Sequence, residues 1–339
     1  MDGQLLYASI GITLVFAFIN GFDGGSVIAT LVCSRAMRPR RTLVLATLAE
    51  FIGPLVLGTA VARTMAGSIL QPGLVEQLPA QDAYSMIIAA VGGAIMWSMF
   101  TWLLRLPSST SHALIGGLIG AGLISMGSSA LQVNGLIKRV ALPLFASPFI
   151  GLVVGFMIFS ILRGLFSHAH RGVGHVFVML QKTCMLFLAA THGANDAQKP
   201  MGVIALVLAA GSSGARPDFF IPQWVIISCA CAIALGLSVG GWRIAKTVGF
   251  GICRMEPVHS FASQISTTSV VLVASLAGGP VSTAQIMSSS VMGIGAARRL
   301  SGVRWSVAFN IVYAWFLTIP ISAALGAGGC YVLRGILHR

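Results

Sequence analysis

Residues 106–116 read LPSSTSHALIG and residues 279–289 read GPVSTAQIMSS. Superimposed with a shift of 173, Pro107 falls on Pro280, Ser109 on Ser282 and Thr110 on Thr283; downstream, Gly120 and Gly122 fall on Gly293 and Gly295. The same shift carries Asp23 onto Asp196, so aspartate and threonine stand 87 residues apart in each half. Glycine matches arise by chance in a chain with 40 glycines, but an acidic and hydroxyl pattern repeated at one spacing does not. The chain therefore reads as an internal duplication.

The composition says what surrounds these elements. Of 339 residues, 56% are hydrophobic and 9% charged, against about 25% charged in a soluble domain. With no polar block large enough for a water-facing globule, the chain reads as an all-α polytopic membrane protein. Lys and Arg exceed Asp and Glu by 21 to 8, but the basic residues fall in short clusters between apolar stretches, the pattern of cytoplasmic loops rather than a nucleic-acid surface. The six cysteines lie in or beside apolar segments without metal-ligand spacing and read as packing residues. Asp2 stands where a signal peptide needs positive charge, so residues 1–20 read as a retained first span.

A spanning helix takes about 20 apolar residues. Ten hydrophobic segments are expected: 5–33, 43–62, 86–104, 110–127, 141–162, 175–208, 221–242, 258–276, 284–297 and 305–330. Stretches 86–127 and 258–297 read as pairs folded around the Ser-Thr elements, and 284–297 is short enough for a re-entrant hairpin. Loop charges orient the two copies. Arg35, Arg38, Arg40 and Arg41 follow the first span, whereas the equivalent 208–214 is uncharged; Arg243, Lys246 and Arg254 stand where the first half has Glu76 and Asp82. Arg298 and Arg299 map onto uncharged residues. By the positive-inside rule, corresponding loops lie on opposite sides, so the repeats are inverted, with residues 1–162 and 175–339 joined by a cytoplasmic linker at 163–174 and both termini outside. Lys138 and Arg139 are the exception, drawn on the outer side. Inverted repeats around a midplane site belong to secondary transporters.

Asp23, Glu50 and Asp196 are the acidic residues embedded in apolar sequence, where a charge costs at least about 2.5–3.5 kcal/mol near the bilayer centre. Glu50, close to the arginine cluster, reads rather as a structural carboxylate, capping a helix or paired with a basic residue. Asp23 and Asp196 lie in NGFDGGSVIAT (20–30) and THGANDAQKPMG (191–202), polar, Gly- and Asn-containing stretches expected to break their helices and line a cavity. Their carboxylates, with Asn20 and Ser26 nearby, suit a Na⁺ or proton site. The Ser-Thr elements have the pattern of capped helix N-termini, whose free N–H groups bind oxyanions. Two such ends could surround one tetrahedral anion. Lys199 and His112 are further candidates for anion contact.

At these motifs, with NGFDGGSVIATLVCSRAMR, WSMFTWLLRLPSSTSHALIGGLIGAGL, THGANDAQKPMGVIALVL and PVSTAQIMSSSVMG in order, the chain resembles the Pit family of inorganic phosphate transporters over nearly its full length. The resemblance implies a bacterial inner-membrane protein, often dimeric, that symports phosphate with Na⁺ or H⁺, in some members as a neutral complex with a divalent metal and in some beside a PhoU-like accessory protein. Carried over by position, Ser109, Thr110, Ser111, Ser282, Thr283 and Asn195 would contact substrate. Asp23, Asp196, Asn20 and Ser26 would hold the coupling ion, with Asp23 and Asp196 as metal ligands if it is Na⁺. The chain departs from the family pattern at Ser26, where Asn is usual, and at Ala284 and Gln285, where Thr-His is usual; its first motif is one residue short.

Phosphate is favoured over sulfate because it still carries a proton to donate to a carboxylate at neutral pH; a sulfate or related oxyanion permease is the alternative. An intramembrane hydrolase built on the paired aspartates, or on Ser109 with His112, has no use for a duplicated, inverted site, so no enzyme activity is expected.

Overall fold

The computed structural model describes residues 2–106, 108–167, 173–210, 221–252 and 255–337. Pro107, Arg254, 168–172 of the expected linker and 211–214 of the uncharged 208–214 stretch lie outside the described residues. The described chain is helical. Six helices are long and apolar enough to cross a membrane, or seven if the pair α3 (Pro39–Val56) and α4 (Ala60–Gly67), bent by 71°, counts as one span.

The first span shows how local sequence shapes the bundle. Helix α1 (Asp2–Asn20) enters a 3₁₀ turn at Gly21–Gly24 and resumes as α2 (Gly25–Cys33). A side chain at Gly21 or Gly25 would collide with backbone of Gln223–Lys246 around Ile233 and Gly241, so glycine lets the broken segment sit directly on that helix. The expectation of a broken helix is met here and not at the second aspartate. GANDAQKP lies inside an unbroken 38-residue helix, Val173–Ala210. Pro200 cannot donate to the carbonyl of Asp196 four residues back, and the Asn20 amide Nδ2 donates to that oxygen instead, at 3.0 Å. A side chain from another helix thus replaces the missing backbone donor.

In chain order the further helices are α5 (Pro72–Gln77), α6 (Ala80–Leu103), α7 (Thr110–Met126), α8 (Val133–Gly135), α9 (Leu142–Leu165), α10 (Val173–Ala210), α11 (Gln223–Lys246), α12 (Pro257–Leu276), α13 (Thr283–Arg298) and α14 (Trp305–Leu337). Helix α7 packs on α6 and α14, and α13 on α12 and α9. The turns before α7 and α13 are made alike at the 173-residue spacing. Arg105 and Gly278 both take left-handed backbone, φ 60° and 74°. Leu106 N donates to Thr101 O at 3.0 Å and Gly279 N to Ala274 O at 2.8 Å, the closure of a helix by a left-handed residue. The caps that follow, Ser109 (φ −110°, ψ 108°) and Ser282 (φ −106°, ψ 105°), have nearly the same torsions.

Small residues bring the helices together. Gly53 of α3 lies on the backbone of Ala190, and Gly193 of α10 lies on the backbone of Glu50, a reciprocal contact that fixes the α3–α10 crossing. Gly120 rests on Ala323, and its repeat counterpart Gly293 on Leu152. Gln198 Oε1 accepts from Val61 N at 2.8 Å and Ala62 N at 3.3 Å, capping α4 from α10. Large apolar side chains such as Phe149, 72% exposed, and Phe316 and Leu165 cover the outside, whereas polar side chains concentrate within. This inside-out distribution suits a lipid environment.

Gly193→Val places a branched side chain against the Glu50 backbone. It is expected to lower the stability of the detergent-solubilised protein by about 1–3 kcal/mol, read by thermal melting. Gly11→Ala, with nothing within 4 Å of the added carbon, should cause no loss.

Candidate functional site

The broken turn after α1, the middle of α10 and the two Ser-Thr turns converge inside the bundle. Asn20 sits at their junction: its Nδ2 holds the Asp196 carbonyl, and its Oδ1 accepts a short hydrogen bond from Thr110 Oγ1. Asp23, 7% exposed, lies beside Thr110 with Asp196 and His192 within electrostatic reach. The two repeat-related carboxylates therefore share one site. Ser26 points elsewhere, its hydroxyl donating to the Asp23 backbone oxygen at 2.8 Å.

Asn195 ties α10 to the second Ser-Thr turn. Its Nδ2 donates to Ser275 Oγ at 2.8 Å and Gly279 O at 3.4 Å, and its Oδ1 accepts from Val281 N at 3.4 Å. Expected as a substrate ligand, it has both side-chain polar atoms engaged with the second turn and the end of α12 in this geometry. The two turns also touch each other. Ser111 Oγ donates to Val281 O at 3.1 Å, and the repeat-related pair His112 and Gln285 meet at 3.3 Å.

Of the expected hydroxyls, Ser109 caps α7 by accepting from His112 N at 3.2 Å. Ser282 occupies the equivalent cap of α13 but makes no side-chain cap bond. Thr283 Oγ1 is buried with no hydrogen-bond partner among the described residues. It stands at the N-terminus of α13, where an anion would satisfy it.

The carboxylate cluster is larger than the sequence suggested. Glu50 is fully buried. His192 Nδ1 lies 2.5 Å from Glu50 Oε1, and its Nε2 lies 2.9 Å from Asp196 Oδ2. The other Asp196 oxygen pairs with Lys199 Nζ, which also donates to Val281 O at 2.7 Å. His192, Asp196 and Lys199 follow at i, i+4 and i+7, one stripe of α10. That spacing was the available signal for His192; nothing in the sequence paired it with Glu50, which is brought in by the Gly193 contact.

Two further cavities have basic linings. One, of about 500 Å³, is lined by Lys138, Arg139, Thr64, Gly278 and Gly279. The other, of about 770 Å³, is lined by Arg163, Glu256, His259, Arg298 and Arg299.

Removing one member of a buried ion pair leaves the other uncompensated, at about 3–5 kcal/mol. Glu50→Ala is therefore expected to destabilise the protein by that order in thermal melts, and Glu50→Gln by clearly less.

Residues 20–326 match the phosphate transporter family. The chain is similar, at 41% identity over 96% of either chain, to a protein of Rhizobium meliloti named "Probable low-affinity inorganic phosphate transporter". It is 38% identical to a Bacillus subtilis protein of the same name over 95% of either chain. A solved structure titled "The sodium-dependent phosphate transporter" shares the fold with a TM-score of 0.88, covering 98% of this chain and 100% of that one at 24% identity. The match spans both duplicated motifs and the intervening helices: the chain belongs to the phosphate transporter family.

Proposed function

We propose that this chain imports inorganic phosphate by symport with a cation, Na⁺ or a proton, through alternating access between two inverted repeats, 1–162 and 175–339. The observation that carries the reading is the meeting of two Ser-Thr helix N-termini, one with the unpartnered Thr283 hydroxyl, beside the paired carboxylates Asp23 and Asp196. Helix ends attract the oxyanion while carboxylates repel it in a low-dielectric site. A cation that neutralises a carboxylate removes the repulsion, so anion and cation bind better together than apart.

Phosphate rather than sulfate follows from the same contact, since only hydrogen phosphate brings a donor to a carboxylate oxygen. The repeated turns at Arg105 and Gly278 support two related elements that rock against each other. The two basic cavities serve in this reading as vestibules, Lys138 and Arg139 drawing anions to the outer one. The exposed apolar faces of α9 and α14 suit a membrane setting; the bacterial inner-membrane homodimer rests on the family resemblance, and the placement of both termini outside on the loop charges. A metal-phosphate complex as cargo and a PhoU-like partner rest on the resemblance alone.

The test is labelled phosphate uptake into proteoliposomes under imposed Na⁺ or proton gradients, with sulfate as competitor. Cation-driven uptake that resists sulfate and falls at least tenfold in Asp196→Asn is expected; sulfate uptake, or uptake of neither anion, overturns the reading. Thr283→Ala is expected to raise the half-saturating phosphate concentration about tenfold or more, as loss of one hydrogen bond to a charged group is worth about 1.5–3 kcal/mol.

A further inference from the structure

We infer that Lys199 is a tethered cation: its ammonium fills the cation position at Asp196, so that of the two repeat-related carboxylates only Asp23 is open to a mobile coupling ion. This rests on the symport reading and specifies its cation count.

A Na⁺ ion in a bundle interior is held by carboxylate and freed backbone carbonyl oxygens. Lys199 Nζ already has such a set, Asp196 Oδ1 and Val281 O. The remaining oxygens of Asp196 are engaged by nitrogen as well: Oδ2 by His192 Nε2 at 2.9 Å and the backbone carbonyl by Asn20 Nδ2 at 3.0 Å. The residues around Asp196 therefore do not fit a bound Na⁺, against the role expected of Asp196 as a metal ligand. Lys199 is 0% exposed, removed from bulk solvent, and a charge so placed needs its partner at all times.

The duplication supplies an internal comparison. Shifting Lys199 back by 173 gives Ser26, whose hydroxyl bonds to the Asp23 backbone rather than to a carboxylate. Among the described residues no Lys, Arg or His lies within ion-pair distance of Asp23. One copy of the site carries its own positive charge and the other does not. Lys199 also grips Val281, next to the Ser282 cap, so its charge is held at the second turn whether or not the anion is there.

Two measurements test this. In proteoliposomes, wild-type phosphate uptake is expected to depend on its coupling ion with a Hill coefficient near 1; a coefficient near 2 for Na⁺ overturns the inference. Lys199→Ser, which copies the first half, is expected to open the Asp196 position: NaCl should then raise its melting temperature over equal choline chloride by more than it does for wild type, in which only Asp23 is open. A folded Lys199→Ser that melts identically in the two salts, or a wild type with the same Na⁺ stabilisation as the variant, overturns it. If Lys199→Ser does not fold, the wild-type Hill coefficient decides. Absence of any phosphate counterflow by wild type overturns the symport reading instead, and the melting comparison still judges Lys199.

Discussion

A carboxylate inside an apolar bundle must be partnered, and Asp196 is the group on which the interior converges. Its two side-chain oxygens face His192 and Lys199, and its backbone oxygen faces Asn20. Each partner leads to another element. His192 reaches Glu50 on α3, Lys199 reaches Val281 at the second Ser-Thr turn, and Asn20 reaches Thr110 at the first. One buried charge thus ties together the broken first span, α3, α10 and both turns, because desolvated polar groups have few alternatives to one another.

Close packing makes this network possible. Lipid supplies little hydrophobic drive between helices, so approach depends on small residues that let backbones touch. The reciprocal Gly53 and Gly193 contacts set the α3–α10 crossing, and the crossing brings Glu50 to His192. Gly21 and Gly25 seat the first broken helix on α11, which aims Asn20 and Asp23 at α10. Packing and electrostatics are therefore one design here: glycines position the helices, and the paired charges lie where the helices come closest.

The two halves use one motif differently. The 20–30 stretch breaks its helix, whereas 191–202 runs through in helix despite Pro200, since Asn20 from the first copy satisfies the carbonyl that proline leaves free. The first copy's amide repairs the second copy's backbone. Lys199 and Ser26 diverge in the same way, one a charge and the other a backbone hydrogen bond. A duplicated scaffold has in this manner acquired a site whose two sides are not equivalent.

The class of protein, the duplication and the paired aspartates were legible in the sequence, because composition, hydropathy and exact spacing are properties of the chain taken in order. The Ser-Thr turns were legible too, as helix caps are local patterns. The partners of those groups were not. Glu50 read as a structural carboxylate with no identified partner, Asn195 as a ligand, and Lys199 with His112 as a candidate anion contact. Their roles depend on which helices cross and at what height, and that is decided by glycine-sized contacts between residues far apart in sequence. Chain order therefore determined which chemical groups the site contains, and tertiary packing alone decided which of them neutralise one another and which remain open to a ligand.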